Sequence, residues 1–176
     1  MGFHHVALAT KDLAATHEFY TGAMGFRLAK VVAAPTPEGG WSRHVFYDTG
    51  NGELMAFWDL HIDGVDGFPT DLNKSLGLPV WVNHVAFDSP DLDDLAARRR
   101  RWQEHGLTVL EVDHGFCTSI YVTDPNGIMV EFCCTTRDFT PEETAWAEAN
   151  VLVPTPELEV TPPAAVVHKP LTPTSA

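Results

Sequence analysis

The chain has 176 residues, 44% of them apolar, a formal net charge of −13 and three cysteines. That length and apolar share suit one domain, or two small fused modules with one core, and exclude a disordered chain. No apolar run reaches the roughly 18 residues of a membrane span, residues 1–10 lack the basic and apolar regions of a secretion signal, and so acidic a chain is a poor partner for nucleic acid.

In chain order, a strand is expected over residues 3–9 and a helix over 11–24. Thr10 is the expected N-cap, because its hydroxyl can accept from the open amides of the first turn. Strands follow near 26–34, 42–48 and 53–60, the last two joined around Asn51-Gly52, a favoured hairpin dipeptide. Residues 61–79, interrupted by glycines and prolines, read as a linker loop. A fifth strand is expected over 80–87. Ser89 then caps a helix with Pro90 at its first position, and the helix ends near His105, before Gly106. Its run Arg98, Arg99, Arg100 and Arg101 reads as a solvated helix end. Strands near 107–112, 117–123 and 128–134 complete the second set, the last two joined by the tight turn Asp124-Pro125-Asn126-Gly127. Cys117, Cys133 and Cys134 have no disulfide spacing and suggest packing roles in a reducing cytoplasm. A short helix runs from Pro141 to about Asn150, with Thr140 and Glu143 as a capping box. The proline-rich tail reads as an extended or disordered arm, or as one that wraps a partner subunit. The resulting divisions are 1–60, 61–79, 80–139, 140–150 and 151–176.

The chain repeats itself. His5-Val6-Ala7-Leu8-Ala9-Thr10-Lys11-Asp12-Leu13 is answered by His84-Val85-Ala86-Phe87-Asp88-Ser89-Pro90-Asp91-Leu92. Each copy continues with a helix, a glycine, three strands and a turn, which implies duplication of one strand–helix–three-strand unit. His5 and His84 occupy matching positions on their first strands. An imidazole on an apolar strand needs partners for its nitrogens, and a pseudo-twofold axis would bring two such residues close together. Glu131 lies inside the apolar strand of the second copy, where carboxylates are rare unless paired or metal-bound. Two imidazoles and one carboxylate form the facial set that suits Fe(II) and leaves neighbouring positions open.

Residues 3–134 resemble the vicinal-oxygen-chelate superfamily, which includes glyoxalases, bleomycin-binding proteins and extradiol dioxygenases. The resemblance implies an α+β fold in which two βαβββ modules form a cupped, barrel-like mixed β-sheet. It carries the metal ligands onto His5, His84 and Glu131. His4 is the neighbouring alternative, but a shift of one residue would turn it to the other face. Glyoxalase-like isomerases in the family supply a further carboxylate from the first module. The matching position here, four residues after Gly52, is Ala56.

The run from Val112 to Glu131 resembles the signature of extradiol ring-cleaving dioxygenases, with His114 and Tyr121 as its discriminating residues. A tyrosine hydroxyl could stabilise the anion of a chelating catechol, and a histidine could move protons. Such enzymes also carry a histidine on the last strand of the first module, and that strand interior, Leu54-Met55-Ala56-Phe57-Trp58, has none. His61 is the preferred substitute and His44 the second choice. The reading is an Fe(II)-dependent extradiol-type dioxygenase taking O2 and a catecholic or similar chelating aromatic, as a homodimer or higher homo-oligomer. Mn(II), Zn(II) and Ni(II) are the alternative metals. A metal-dependent isomerase or lyase, disfavoured by Ala56, and a small-molecule resistance binder, disfavoured by the complete triad, are the competing functions.

Overall fold

The computed structural model describes residues 2–158 and 163–171. The first module is β1 (His5–Thr10), α1 (Leu13–Glu18), β2 (Arg27–Pro35), β3 (Gly40–Asp48) and β4 (Leu54–Ile62). A short α2 (Leu72–Leu76) lies in the connection that the sequence presents as plain loop. The second module is β5 (His84–Asp88), α3 (Leu92–Glu104), β6 (Val109–Asp113), β7 (Cys117–Thr123) and β8 (Met129–Thr135), followed by α4 (Pro141–Asn150) and β9 (Ala164–His168).

The fold is α+β, with two mixed sheets. One has the order β1-β4-β3-β2 and the other β5-β8-β7-β6-β9. In each module the first strand runs parallel to the last, and the remaining pairs are antiparallel. The duplication holds at the level of register: Ala7 pairs with Ala56 and Ala86 with Glu131. The expected fold is present, its two modules each forming one open mixed sheet.

Local chemistry sets the helix starts two residues later than expected. Asp12 caps α1, accepting from the Ala15 amide at 2.9 Å, while Thr10 turns inward with its hydroxyl 2.8 Å from that of Thr16. Asp91 caps α3, accepting from the Asp94 amide at 2.8 Å, while Ser89 donates to the Asp94 carboxylate. An ionised side chain next to the open amides outcompetes a hydroxyl two residues upstream. α1 continues as a π-helical turn, Phe19–Ala23, which turns Phe19, Tyr20 and Ala23 into the core. In α4 the Thr140–Glu143 capping box is present as expected.

Strand alternation gives each sheet an inner and an outer face. The inner faces share one core with the helices, built from Tyr20, Phe26, Tyr47 and Phe57 of the first module and Leu95, Trp102, Ile120, Val130 and Phe132 of the second. Phe26 meets Phe87 edge-on at 5.0 Å. Two buried hydrogen bonds tie the modules together: the Tyr20 hydroxyl donates to Asp124 at 3.1 Å, and the Asn126 amide donates to the Thr16 hydroxyl at 3.1 Å. The tail is not simply an arm. Its β9 pairs antiparallel with β6, and His168 Nε2 lies 3.0 Å from the Glu111 carboxylate, which also pairs with Arg99. On the other sheet, β2 remains an edge strand exposed along all nine residues, with a bulge between Leu28 and Lys30 and Pro35 at its end. Among the described residues no helix is long and apolar enough to cross a membrane.

Candidate functional site

The outer face of the second sheet gathers most of the residues expected to carry chemistry. His84 and Ala86 on β5, Glu131 on β8 and Tyr121 on β7 point the same way by register. Glu131 is 5% exposed. One of its oxygens lies 3.1 Å from His84 Nε2, and the other accepts from the Tyr121 hydroxyl at 3.2 Å. His114 Nε2 stands 3.0 Å from the same hydroxyl. The result is a continuous relay, His114–Tyr121–Glu131–His84. Burial, with the Glu131 charge adding to it and Ser119 opposing it, pushes Tyr121 up to about 12. Its phenol therefore stays protonated at neutral pH.

The tautomer of His84 decides what the pair can hold. Its Nδ1 lies 2.9 Å from the Trp81 carbonyl oxygen, which can only accept. Nδ1 is thus the protonated nitrogen of the neutral ring, and the Nε2 lone pair faces the Glu131 carboxylate. Two acceptors at 3.1 Å require a positive centre between them, a proton or a cation. An imidazole that donates its far nitrogen to a backbone carbonyl is the usual arrangement of a metal-binding histidine. The pair fits a divalent metal, supplying one nitrogen and one oxygen donor. Nothing in the side-chain pattern flagged the Trp81 carbonyl, because a backbone acceptor in a loop has no sequence signature.

His5 is elsewhere. It lies on the outer face of the first sheet, with its Nδ1 2.8 Å from His4 Nδ1 and its ring 5.6 Å from Phe46 and 5.9 Å from His44. Among the described residues, no group of three or more His, Cys, Asp or Glu side chains is spaced to hold one metal ion. The three expected ligands are thus presented as two plus one, on different sheets.

The two substitute histidines also separate. His61 lies on the inner face, stacked on Trp41 at 4.0 Å and 3.1 Å from the Asp59 carboxylate, which also pairs with Arg43. His44 shares the outer face with His5 and Trp58. It stacks on Trp58 at 3.8 Å, and its buried Nε2 has no hydrogen-bond partner. Burial, then the nearby His5, pushes its pKa down. Ala56, the register counterpart of Glu131, is fully buried and offers no donor.

A family model described as the Glyoxalase/Bleomycin resistance protein/Dioxygenase superfamily matches residues 2–132. The chain belongs to this superfamily. Members of the superfamily typically bind a divalent metal ion. No curated protein matches the chain. Among solved structures, a glyoxylase/bleomycin resistance protein/dioxygenase domain from Frankia sp. EAN1pec superposes with a TM-score of 0.60 at 16% identity, covering 79% of this chain and 95% of that one. A lactoylglutathione lyase from Agrobacterium tumefaciens gives 0.51 at 20% identity, covering 76% and 92%. A fosfomycin resistance protein from Listeria monocytogenes gives 0.53 at 18% identity, covering 81% and 97%. At these identities the likeness is one of fold.

Proposed function

We propose that this superfamily member is a metal-dependent ring-cleaving dioxygenase of the extradiol type, taking O2 and a catecholic or similarly chelating aromatic. His84 and Glu131 are two of its metal ligands, and His5 of a second copy is the third. The observation that carries the reading is the relay from His114 through Tyr121 to the Glu131–His84 pair. Fe(II), or in its place Mn(II), Zn(II) or Ni(II), would supply a Lewis-acidic centre able to hold both oxygens of the substrate. Tyr121 is a protonated donor beside the place where substrate oxygen would acquire charge. His114, in contact with that hydroxyl, can take up or return a proton. Trp58 and Phe46 on the outer face of the first sheet offer a flat apolar wall for an aromatic ring.

The split of the donors supports the second copy. β1 and β5 are edge strands with exposed His5 and His84. Joining β1 of one copy to β5 of the other would bring a single imidazole to the nitrogen–oxygen pair and occupy one edge of each sheet. An isomerase with four protein ligands is the less favoured reading, since Ala56 stands where the fourth would be.

Anaerobic protein loaded with Fe(II) should consume O2 when a catechol and air are admitted, and release a yellow ring-opened product. If no catechol supports O2 uptake, while another divalent metal supports isomerisation of a hydroxy-carbonyl substrate, the dioxygenase reading fails.

A further inference from the structure

Helix α4 lies outside the shared core and has no buried residue. Between it, the β6–β7 loop and residues 157–158 lies an open cavity of about 680 Å³, within the size range of small-molecule sites. Its wall is aromatic. Phe116 and Phe139 meet at 5.0 Å, and Trp146 completes the surface. Phe139 is 65% and Trp146 47% exposed, so the core does not use this apolar area.

The charged residues that line it have one sign. Glu142, Glu143 and Glu157 line the cavity, with no Lys, Arg or His among the lining residues. Glu143 is satisfied: Arg137 holds it by two contacts of 2.7 and 2.9 Å, and this pair, with the Thr140 amide, keeps its carboxyl down at about 2. Glu142 and Glu157 form no ion pair or hydrogen bond among the described residues. A neutral apolar occupant would leave these two exposed carboxylates without a partner. A second copy has few free cations to bring from α3, where Arg98, Arg99 and Arg100 are already paired with acids. A cation with an apolar body satisfies both features, through the carboxylates and through its attraction to aromatic faces.

We propose that this groove binds a small amphipathic organic cation, its aromatic or alkyl body against Phe116, Phe139 and Trp146 and its ammonium group toward Glu142 and Glu157. The site uses none of the proposed metal ligands, though its Phe116 ring lies 6.4 Å from that of His114.

The test is titration calorimetry on the full chain at low salt with three probes of nearly one shape: 1-naphthylmethylamine, 1-naphthalenemethanol and 1-naphthoate. The amine should bind about tenfold more tightly than the alcohol and the carboxylate should not bind, the ratio expected for one to two charge contacts with cation–π support. In the double variant Glu142→Gln, Glu157→Gln the amine should lose that advantage. Trp146→Ala should weaken amine and alcohol alike, and Trp146→Phe should restore most of the loss. Equal binding of amine and alcohol, a preference that survives the double variant, or no binding by any probe would each overturn the proposal. So would an oligomer that dissociates in Trp146→Ala, since a second copy would then be the occupant.

Discussion

His84 shows how a backbone atom can settle side-chain chemistry. The Trp81 carbonyl fixes its tautomer, and the free lone pair meets a carboxylate with 5% exposure. Either ligand change, His84→Ala or Glu131→Ala, should remove stoichiometric metal by elemental analysis while thermal unfolding stays cooperative. Full metal content in both variants would place the site elsewhere. Tyr121→Phe should keep the metal but lower turnover with O2 by about ten- to a thousand-fold, the range for loss of one acid–base or oxyanion donor. Unchanged turnover would leave the phenol a packing residue. His84, Glu131 and Tyr121 were legible because each is a polar residue inside an apolar strand pattern. The choice between His61 and His44 was legible too, by parity. His61 is an odd number of residues from Ala56 and so falls on the opposite face of β4, while His44 pairs directly with Trp58 on the outer face. Proximity in sequence favoured His61, and strand geometry favours His44.

The hairpin turn between β7 and β8 joins the two modules as well as two strands. Asp124 accepts from the amides of Asn126 and Ile128, from the Asn126 side chain and from Tyr20 of the other module. Burial nevertheless pushes its pKa up, outweighing these bonds. Its folded pKa lies above the unfolded value, so its contribution to stability is complete below the unfolded pKa, about 4. It is lost as pH rises through the folded one. Asp124→Asn removes that slope. The melting temperature of this variant minus that of the parent should therefore increase between about pH 4 and 7, whatever its starting offset. A difference that stays flat or falls with pH would contradict the assignment. The added strand β9 is the other elemental surprise. Removing residues 151–176 deletes five cross-strand pairs with β6, each worth about 0.2–1 kcal/mol, and should lower the melting temperature by several degrees with metal stoichiometry intact. An unchanged melting temperature would show that β9 adds nothing. The ten core elements of the two modules were readable from periodicity and turn chemistry. α2, the π-helical turn and β9 were not: five-residue segments carry too little periodicity, and β9 is a strand only because β6 offers it an edge.

At the scale of the molecule, two outward half-sites around one core make the proposed active site a property of the pair. His5→Ala and Glu131→Ala chains should each be inactive alone. Co-expressed, they should recover about a quarter of the parental activity, because random pairing makes half the dimers mixed and each mixed dimer keeps one intact site of two. No recovery would mean that each site is built within one chain. The nine-residue edge of β2 bears on solubility. An open edge can add strands without limit, yet this one carries Arg27 and Lys30, a bulge that interrupts its hydrogen-bond ladder, and a proline with no amide to donate at its last position. Those features blunt β2, and the proposed pairing of β1 with β5 would leave only the short five-residue β9 as an open edge of the second sheet. Replacing Lys30 and Pro35 with valine should leave the fold and the metal site alone but make scattered light rise steeply as the protein is concentrated, as chains add to one another along β2.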